Sequence, residues 1–195
     1  MSEVTHLEEK NDTMRFGLWL YIMSDVMLFG ALFATYIILR HNTAGGPGTL
    51  DIFEPPYVLM QTLILLTSSF TCALMILAAK HGKFEAVKLQ LMLTALLGLS
   101  FLALEINEFV KLGLEGHTWQ VSAFLSAFFT LVGTHGMHIL VGLIWLFTLL
   151  TVLRKKGLTE HMVRKLGLFA LFWHFLDIVW IFIFAVVYML GVGVA

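Results

Sequence analysis

The chain has 195 residues, of which 59% are hydrophobic and only 13% charged, and its mean hydropathy is +0.89. Because soluble domains carry about 25% charged residues, this composition excludes water as the main solvent. The formal net charge is −1, and the basic residues lie in short stretches between apolar runs, which excludes a nucleic-acid-binding surface. The single cysteine, Cys72, lies inside an apolar run, which excludes a disulfide framework and a thiolate metal site.

Five apolar segments are each long enough to cross a membrane, since about 20 helical residues span the hydrocarbon core. They are continuous runs rich in Leu, Ala, Phe and Met, which indicates helices. The predicted helices cover about 16–39, 57–79, 89–112, 121–153 and 166–192. The sequence therefore predicts an all-α integral membrane bundle, with a polar tail at 1–15 and one membrane domain at 16–195.

The basic residues indicate how this bundle is oriented. With five crossings, ten of the twelve Lys and Arg residues lie on the same side as the N-terminus. They are Lys10, Arg15, Lys80, Lys83, Lys88, Arg154, Lys155, Lys156, Arg164 and Lys165, against Arg40 and Lys111 on the other side. Since basic residues are retained in the cytoplasm, the N-terminus is predicted to be cytoplasmic and the C-terminus to lie outside.

Ionisable side chains inside the predicted helices are the candidate functional residues. Such groups are costly at bilayer depth, so they normally face the bundle interior and find partners there. The seven positions are Asp25 on the first helix, Glu105 and Glu108 on the third, His135 and His138 on the fourth, and His174 and Asp177 on the fifth. Four helices are therefore predicted to turn a polar stripe toward protein.

The depths of these groups predict which of them meet. At about 1.5 Å of rise per residue, they fall into an inner level with Asp25, His138, His174 and Asp177, and an outer level with Glu105 and His135. Carboxyl and imidazole groups at one depth favour interhelical hydrogen-bonded pairs. Gly98 and Gly142 lie on the same stripes and would allow neighbouring helices to approach closely.

Several functions are compatible with these residues. His135, His138 and His174 could bind a metal or haem. Asp25 and Asp177, together with the histidines, could form a proton or ion pathway. Polar pairs that fix the helix register and bind a partner or lipid are the structural interpretation. A self-sufficient proton-coupled transporter or a haem-binding membrane cytochrome is thus the alternative to an accessory structural protein.

Four segments of the chain resemble subunit III of the haem-copper oxidases. The segments are 126–142 (SAFFTLVGTHGMHILVG), 173–184 (WHFLDIVWIFIF), the region around Ser24 and Asp25, and 104–109 (LEINEF). The resemblance extends over about residues 16–191. Asp25 stands where this family usually has Glu, and the shorter side chain changes the reach of that group.

This resemblance implies a fold and a function. Five helices in place of seven, with Glu105 where the cytochrome c oxidases commonly have Gln, are most similar to the bacterial cytochrome o (bo-type) ubiquinol oxidases. The implied role is a non-redox accessory subunit in a bacterial inner membrane, with its C-terminus in the periplasm. It would have no catalytic, cofactor-binding or metal-binding residues of its own.

The resemblance also implies partners. Subunit I would hold haem and copper and pack directly against this chain, with subunits II and IV in the same complex. The complex would oxidise ubiquinol, reduce oxygen to water and translocate protons. In the longer family members, lipids lie in a cleft formed with two additional helices, so membrane lipids are expected as partners here without a predicted site.

Overall fold

The computed structural model describes residues 2–45 and 55–189, with side chains described from residue 13 and from residue 56 in the two ranges. These residues form five long helices and contain no strand. The helices are α1 (Ser2–Leu39), α2 (Pro55–Lys80), α3 (Phe84–Leu114), α4 (Ala123–Lys156) and α5 (Glu160–Ile183), which continues into a π-helical segment, Phe184–Met189. Each contains a stretch long and apolar enough to cross a membrane. The predicted all-α, five-span architecture is confirmed.

Most helix ends extend beyond the apolar segments from which they were predicted, but α4 begins at Ala123, two residues inside the predicted start at 121. Helix α3 begins at Phe84 and α5 at Glu160, because polar turns continue each helix past the membrane core. The Thr159 hydroxyl caps α5 by accepting a hydrogen bond of 3.3 Å from the Met162 amide. Helix α1 already begins at Ser2, within the predicted tail. The predicted end of the last helix at 192 lies outside the described residues.

Helix α5 packs against α1, α2 and α4, and α4 also packs against α1 and α3. Helices α1 and α5 run in the same direction, since Tyr21 contacts Phe172 and Phe33 contacts Phe182. Consecutive helices run in opposite directions, as five successive crossings require. The two most central helices therefore carry four of the seven predicted polar residues into the middle of the bundle.

The indole of Trp173 fills the space above two helix glycines. A Cβ atom on Gly98 of α3 would lie 3.0 Å from this ring, and one on Gly142 of α4 would lie 2.9 Å from it. The indole Nε1–H of Trp173 donates to the Ser68 hydroxyl of α2 over 3.1 Å. Both glycines do allow close packing, and a large aromatic side chain uses the space.

Candidate functional site in the buried polar clusters

Helices α1 and α4 meet at a buried carboxyl–imidazole pair. Asp25 Oδ2 lies 3.5 Å from His138 Nε2, with side-chain exposures of 8% and 15%. This is an ion-pair distance, longer than the usual 2.7–3.2 Å of a hydrogen bond. Asp25 and His138, which were predicted to lie at the same depth in the membrane, are therefore in contact.

The other nitrogen of His138 is held by its own helix. His138 Nδ1 is 2.7 Å from the Thr134 carbonyl oxygen. A carbonyl can only accept, so Nδ1 donates this hydrogen bond. The imidazole is thereby oriented with Nε2 toward Asp25 of α1.

A second cluster joins α2 to α5. The Ser69 hydroxyl lies 2.6 Å from His174 Nδ1 and beside the Asp177 carboxyl. Asp177 is buried, with 6% exposure. His174 and Asp177 therefore share a serine on the neighbouring helix, and neither joins the Asp25–His138 pair at the same predicted depth.

A third cluster lies nearer the other end of the bundle, between α2 and α3. Gln61 Nε2 donates to Glu108 Oε2 over 3.2 Å. The Tyr188 hydroxyl, on the π-helical segment, lies beside the carboxyls of Glu105 and Glu108. Glu105 packs directly on the backbone of α4, where a Cβ atom on Gly136 would lie only 2.5 Å from its Oε1. Through the two carboxyl groups, this cluster connects α3 with α2, with α4 and with the π-helical segment that continues α5.

His135 is enclosed by aromatic rings and is fully buried. Its ring stacks on Trp180 at a centroid distance of 5.2 Å and meets the edge of Phe101 at 5.9 Å. Neither ring nitrogen has a hydrogen-bonding partner among the described residues. The predicted hydrogen bond between Glu105 and His135 is therefore wrong, because aromatic side chains occupy the space around the imidazole.

Sequence reasoning missed the contribution of α2, which was assigned no polar stripe. This helix provides the partners of Glu108, His174 and the two buried tryptophans: Gln61, Thr62, Ser68 and Ser69. A signal was present, since Gln61 and Ser68 are separated by seven residues, as are Thr62 and Ser69, so each pair lies on one side of a helix. The signal is weak because Ser and Thr can also bond to their own backbone.

The arrangement links helices in pairs and separates the histidines. His138 lies between α1 and α4, His174 lies against α2, and His135 lies in the aromatic enclosure. Among the described residues, no group of three or more His, Cys, Asp or Glu side chains is placed to hold a metal ion. The polar contacts therefore favour the structural interpretation, in which buried polar groups fix the helix register.

Replacing Asp25 by alanine should loosen the α1–α4 contact without unfolding the bundle. The substitution removes the partner of His138 at bilayer depth, and interhelical polar contacts in membranes are worth about 0.6–2 kcal/mol. We expect the assembled complex to keep its activity and to lose this chain more readily in detergent. Ser24→Ala is the matched control, because the exposed Ser24 hydroxyl donates to the Tyr21 carbonyl of its own helix.

The same variant distinguishes a structural role of Asp25 from a role in proton transfer. The two measurements are the proton-to-electron stoichiometry in vesicles and the amount of this chain that remains in the complex. An intact complex with abolished proton translocation would contradict the structural role.

Comparison with known proteins identifies the family. The family model described as cytochrome c oxidase subunit III matches residues 2–192. The chain is 49% identical over 186 residues to cytochrome bo(3) ubiquinol oxidase subunit 3 of Pseudomonas aeruginosa, covering 95% of this chain and 89% of that protein. It is 46% identical over 185 residues to cytochrome c oxidase subunit 3 of Bacillus sp. PS3, covering 95% and 88%.

A third relative is quinol oxidase subunit 3 of Bacillus subtilis, which is 42% identical over 190 residues, covering 96% of this chain and 93% of that protein. The matches extend over nearly all of each chain, so they include all five helices and the three polar clusters. They confirm the resemblance detected in the sequence. The chain belongs to the cytochrome c oxidase subunit III family.

Proposed function

We propose that this chain is the non-redox accessory subunit III of a proton-pumping cytochrome o ubiquinol oxidase. The observation that carries the proposal is the 49% identity over 95% of the chain to a subunit named for a bo(3) ubiquinol oxidase. The complex would couple ubiquinol oxidation to the reduction of oxygen to water in aerobic respiration. This chain would support the assembly and stability of the haem-copper subunit.

The contacts of the histidines support the absence of a redox centre from this chain. A haem held between helices needs histidine nitrogens that face a common space. Here His138 is engaged by Asp25 and Thr134, and His174 is engaged by Ser69. We therefore assign haem and copper to the partner subunit I and ubiquinol to the complex as its substrate.

Large apolar side chains on the bundle surface support partner and lipid contacts. Met27 and Ile38 of α1 are 79% and 74% exposed, and Leu114 of α3 is 85% exposed. Continuous apolar surface at membrane depth is covered by lipid or by another membrane subunit. We propose direct packing against subunit I, with subunits II and IV in the same complex.

We propose a single membrane domain in the bacterial inner membrane, with residues 1–15 on the cytoplasmic side. The charge asymmetry predicts that alkaline phosphatase fused after residue 195 is active, because the C-terminus lies in the periplasm. A fusion after residue 156, in the loop between α4 and α5, should be inactive. An inactive C-terminal fusion beside an active fusion after residue 156 would contradict the orientation, and two inactive fusions would contradict the odd number of crossings.

Co-purification tests the proposed function. An affinity tag on this chain should recover a stoichiometric complex with a haem-bearing subunit in mild detergent, and that complex should consume oxygen with ubiquinol as donor. Because one relative is named a cytochrome c oxidase subunit, reduced cytochrome c is the matched donor. A complex that oxidises cytochrome c and not ubiquinol would contradict the assigned substrate, and a chain that purifies alone and moves protons would favour the transporter.

A further inference from the structure

Two carboxyl groups of α3 lie close together inside the bundle. Glu105 and Glu108 are three positions apart, so they lie on one side of the helix, and their charges would act on each other. Glu105 is 2% exposed. At about 1.5 Å of rise per residue, it lies about 14 Å from the end of α3 at Leu114. Glu105 is therefore buried in protein at a depth where hydrocarbon surrounds the bundle.

The two carboxyl groups differ in the hydrogen-bond donors that surround them. Glu108 Oε2 accepts from Gln61 Nε2 over 3.2 Å, and the Tyr188 hydroxyl lies beside the same carboxyl group. Glu105 Oε2 is buried without a hydrogen-bonding partner among the described residues. Its Oε1 packs on the backbone of α4 at Gly136. The neighbouring side chains thus supply hydrogens to Glu108 and leave Glu105 Oε2 without one.

Gln61 provides a second unsatisfied acceptor in this cluster. Its side chain is fully buried, and its Oε1 has no hydrogen-bonding partner in the described part of the chain. Because Oε1 and Nε2 belong to one planar amide, Oε1 lies in the same cluster as the contact with Glu108. Buried acceptors without donors are costly. The cluster therefore contains more buried acceptors than the described donors satisfy, and one added hydrogen would reduce that excess.

The charges in this cluster are also unbalanced. The cation that acts on Glu108 is Lys111, one turn further along α3, with an exposed side chain. The other titratable side chains on the neighbouring elements are Tyr36, Tyr57, Tyr188 and His135. Tyrosine is neutral at neutral pH, and His135 makes no hydrogen bond with Glu105. Among the described residues, one cation therefore acts on two carboxyl groups, and it lies beside Glu108.

We propose that Glu105 binds one proton and is a neutral carboxylic acid in the folded bundle. Two ionised carboxyl groups side by side at this depth would repel each other, and the group that has donors and a nearby cation keeps the charge. The proton turns Glu105 Oε2 into a donor and removes a negative charge from the contact between α3 and α4. It thereby holds these two helices together. The proposal does not depend on which electron donor the oxidase uses.

Infrared spectroscopy of the assembled oxidase tests the proposal. Glu105→Gln should remove one carbonyl stretching band of a protonated carboxylic acid, a band that shifts when the complex is transferred to D2O. Glu115→Gln is the matched control, because Glu115 directly follows the same helix and is exposed, so this change should remove carboxylate bands only. Loss of carboxylate bands alone in Glu105→Gln would overturn the proposal.

Two further variants locate the proton. Glu108→Gln should keep the acid band, because the proton belongs to Glu105. Glu105→Asp should shift the band without removing it, since the shorter side chain is still an acid in the same enclosure; this variant also serves if Glu105→Gln fails to assemble. A band that disappears in Glu108→Gln, or one that is unshifted in Glu105→Asp, would overturn the assignment to Glu105.

A sodium ion would balance the same charge, and a change of buffer distinguishes it from a proton. Replacing sodium by choline throughout the purification should leave the acid band and the amount of retained subunit unchanged. A carboxylate band that depends on sodium and is absent from Glu105→Gln would show a metal ion in place of the proton and would overturn the proposal.

Subunit retention provides a readout that does not depend on assigning a band. At neutral pH, Glu105→Gln should retain this chain as well as the wild type does, because an amide has the shape of a neutral acid. As the pH rises, the wild type loses the proton and places two negative charges in the cluster, so this stabilisation is present at neutral pH and lost on the alkaline side. The ratio of retained to released chain should then fall more steeply in the wild type than in Glu105→Gln, by up to about tenfold per pH unit. Identical pH profiles, or release of Glu105→Gln already at neutral pH, would contradict the proposal.

Discussion

Replacing Trp180 by alanine should cause this subunit to separate from the oxidase during detergent purification. Trp180 is 1% exposed and lies at the centre of the contact between α3, α4 and α5. Its ring meets Phe101 edge to face at 4.7 Å and stacks on His135 at 5.2 Å. Its indole Nε1–H also donates to the Thr62 hydroxyl of α2 over 3.1 Å. One side chain therefore holds four helices together.

The expected loss of stability is about 2–3 kcal/mol. Removing a large buried aromatic side chain costs about 3–5 kcal/mol in soluble cores. In a membrane the transfer from water contributes less, while the lost packing and the cavity remain. The measurement is the fraction of subunit retained as detergent concentration or temperature rises.

Two further variants complete this test. Trp180→Phe should lie between the wild type and Trp180→Ala, because a phenyl ring keeps part of the packing and loses the hydrogen bond. Trp119→Ala is the control, because Trp119 is 60% exposed. Equal retention of Trp180→Ala and Trp119→Ala would contradict the central role of Trp180.

Replacing Gly142 by leucine should also disrupt the bundle, in this case by overfilling it. A Cβ atom at this position would lie 2.9 Å from the Trp173 ring and 3.1 Å from Phe172, and both rings are buried. Neither ring is the end of a flexible chain, so α4 and α5 would have to separate. Added volume in a packed core costs about 1–3 kcal/mol. We expect subunit retention to fall to a level similar to that of Trp180→Ala.

A pair of alanine variants provides the control for this prediction. Gly133→Ala places a Cβ atom 3.6 Å from Phe109, an ordinary contact, whereas Gly142→Ala already produces the short contact with Trp173. Since alanine favours a helix over glycine equally at both positions, Gly133→Ala should leave subunit retention unchanged and Gly142→Ala should lower it. If Gly133→Ala lowered subunit retention more than Gly142→Ala, the short contact between Gly142 and Trp173 would not be what restricts the packing of α4 against α5.

The number of helices could be predicted from the sequence because a chain that crosses a membrane needs long apolar segments. A continuous apolar run of that length can cross only as a helix. A contact between Asp25 and a histidine was also predictable from depth and helix face, but depth did not distinguish His138 from His174, which contacts Ser69 of α2. Depth alone was insufficient for Glu105 and His135. These side chains are at similar depths, but the neighbouring rings of Phe101 and Trp180 determine which group the imidazole meets.

The contribution of α2 could not be predicted with the same rules. Thr62 hydrogen-bonds to the Val58 carbonyl of its own helix over 2.9 Å and also accepts from Trp180. From the sequence alone, the first bond is sufficient to satisfy a threonine in a membrane helix. The second depends on the position of a residue on α5, which only the packed bundle defines.

This chain is a subunit of an oxidase, and we propose that it has no redox centre of its own. The most direct test separates the chain from the purified complex with a stronger detergent and measures haem by optical absorption in both fractions. We expect all of the haem to remain with the other subunits and the separated chain to be colourless. A stoichiometric haem band that stays with this chain, and that disappears when His135 or His138 is replaced by alanine, would contradict the account.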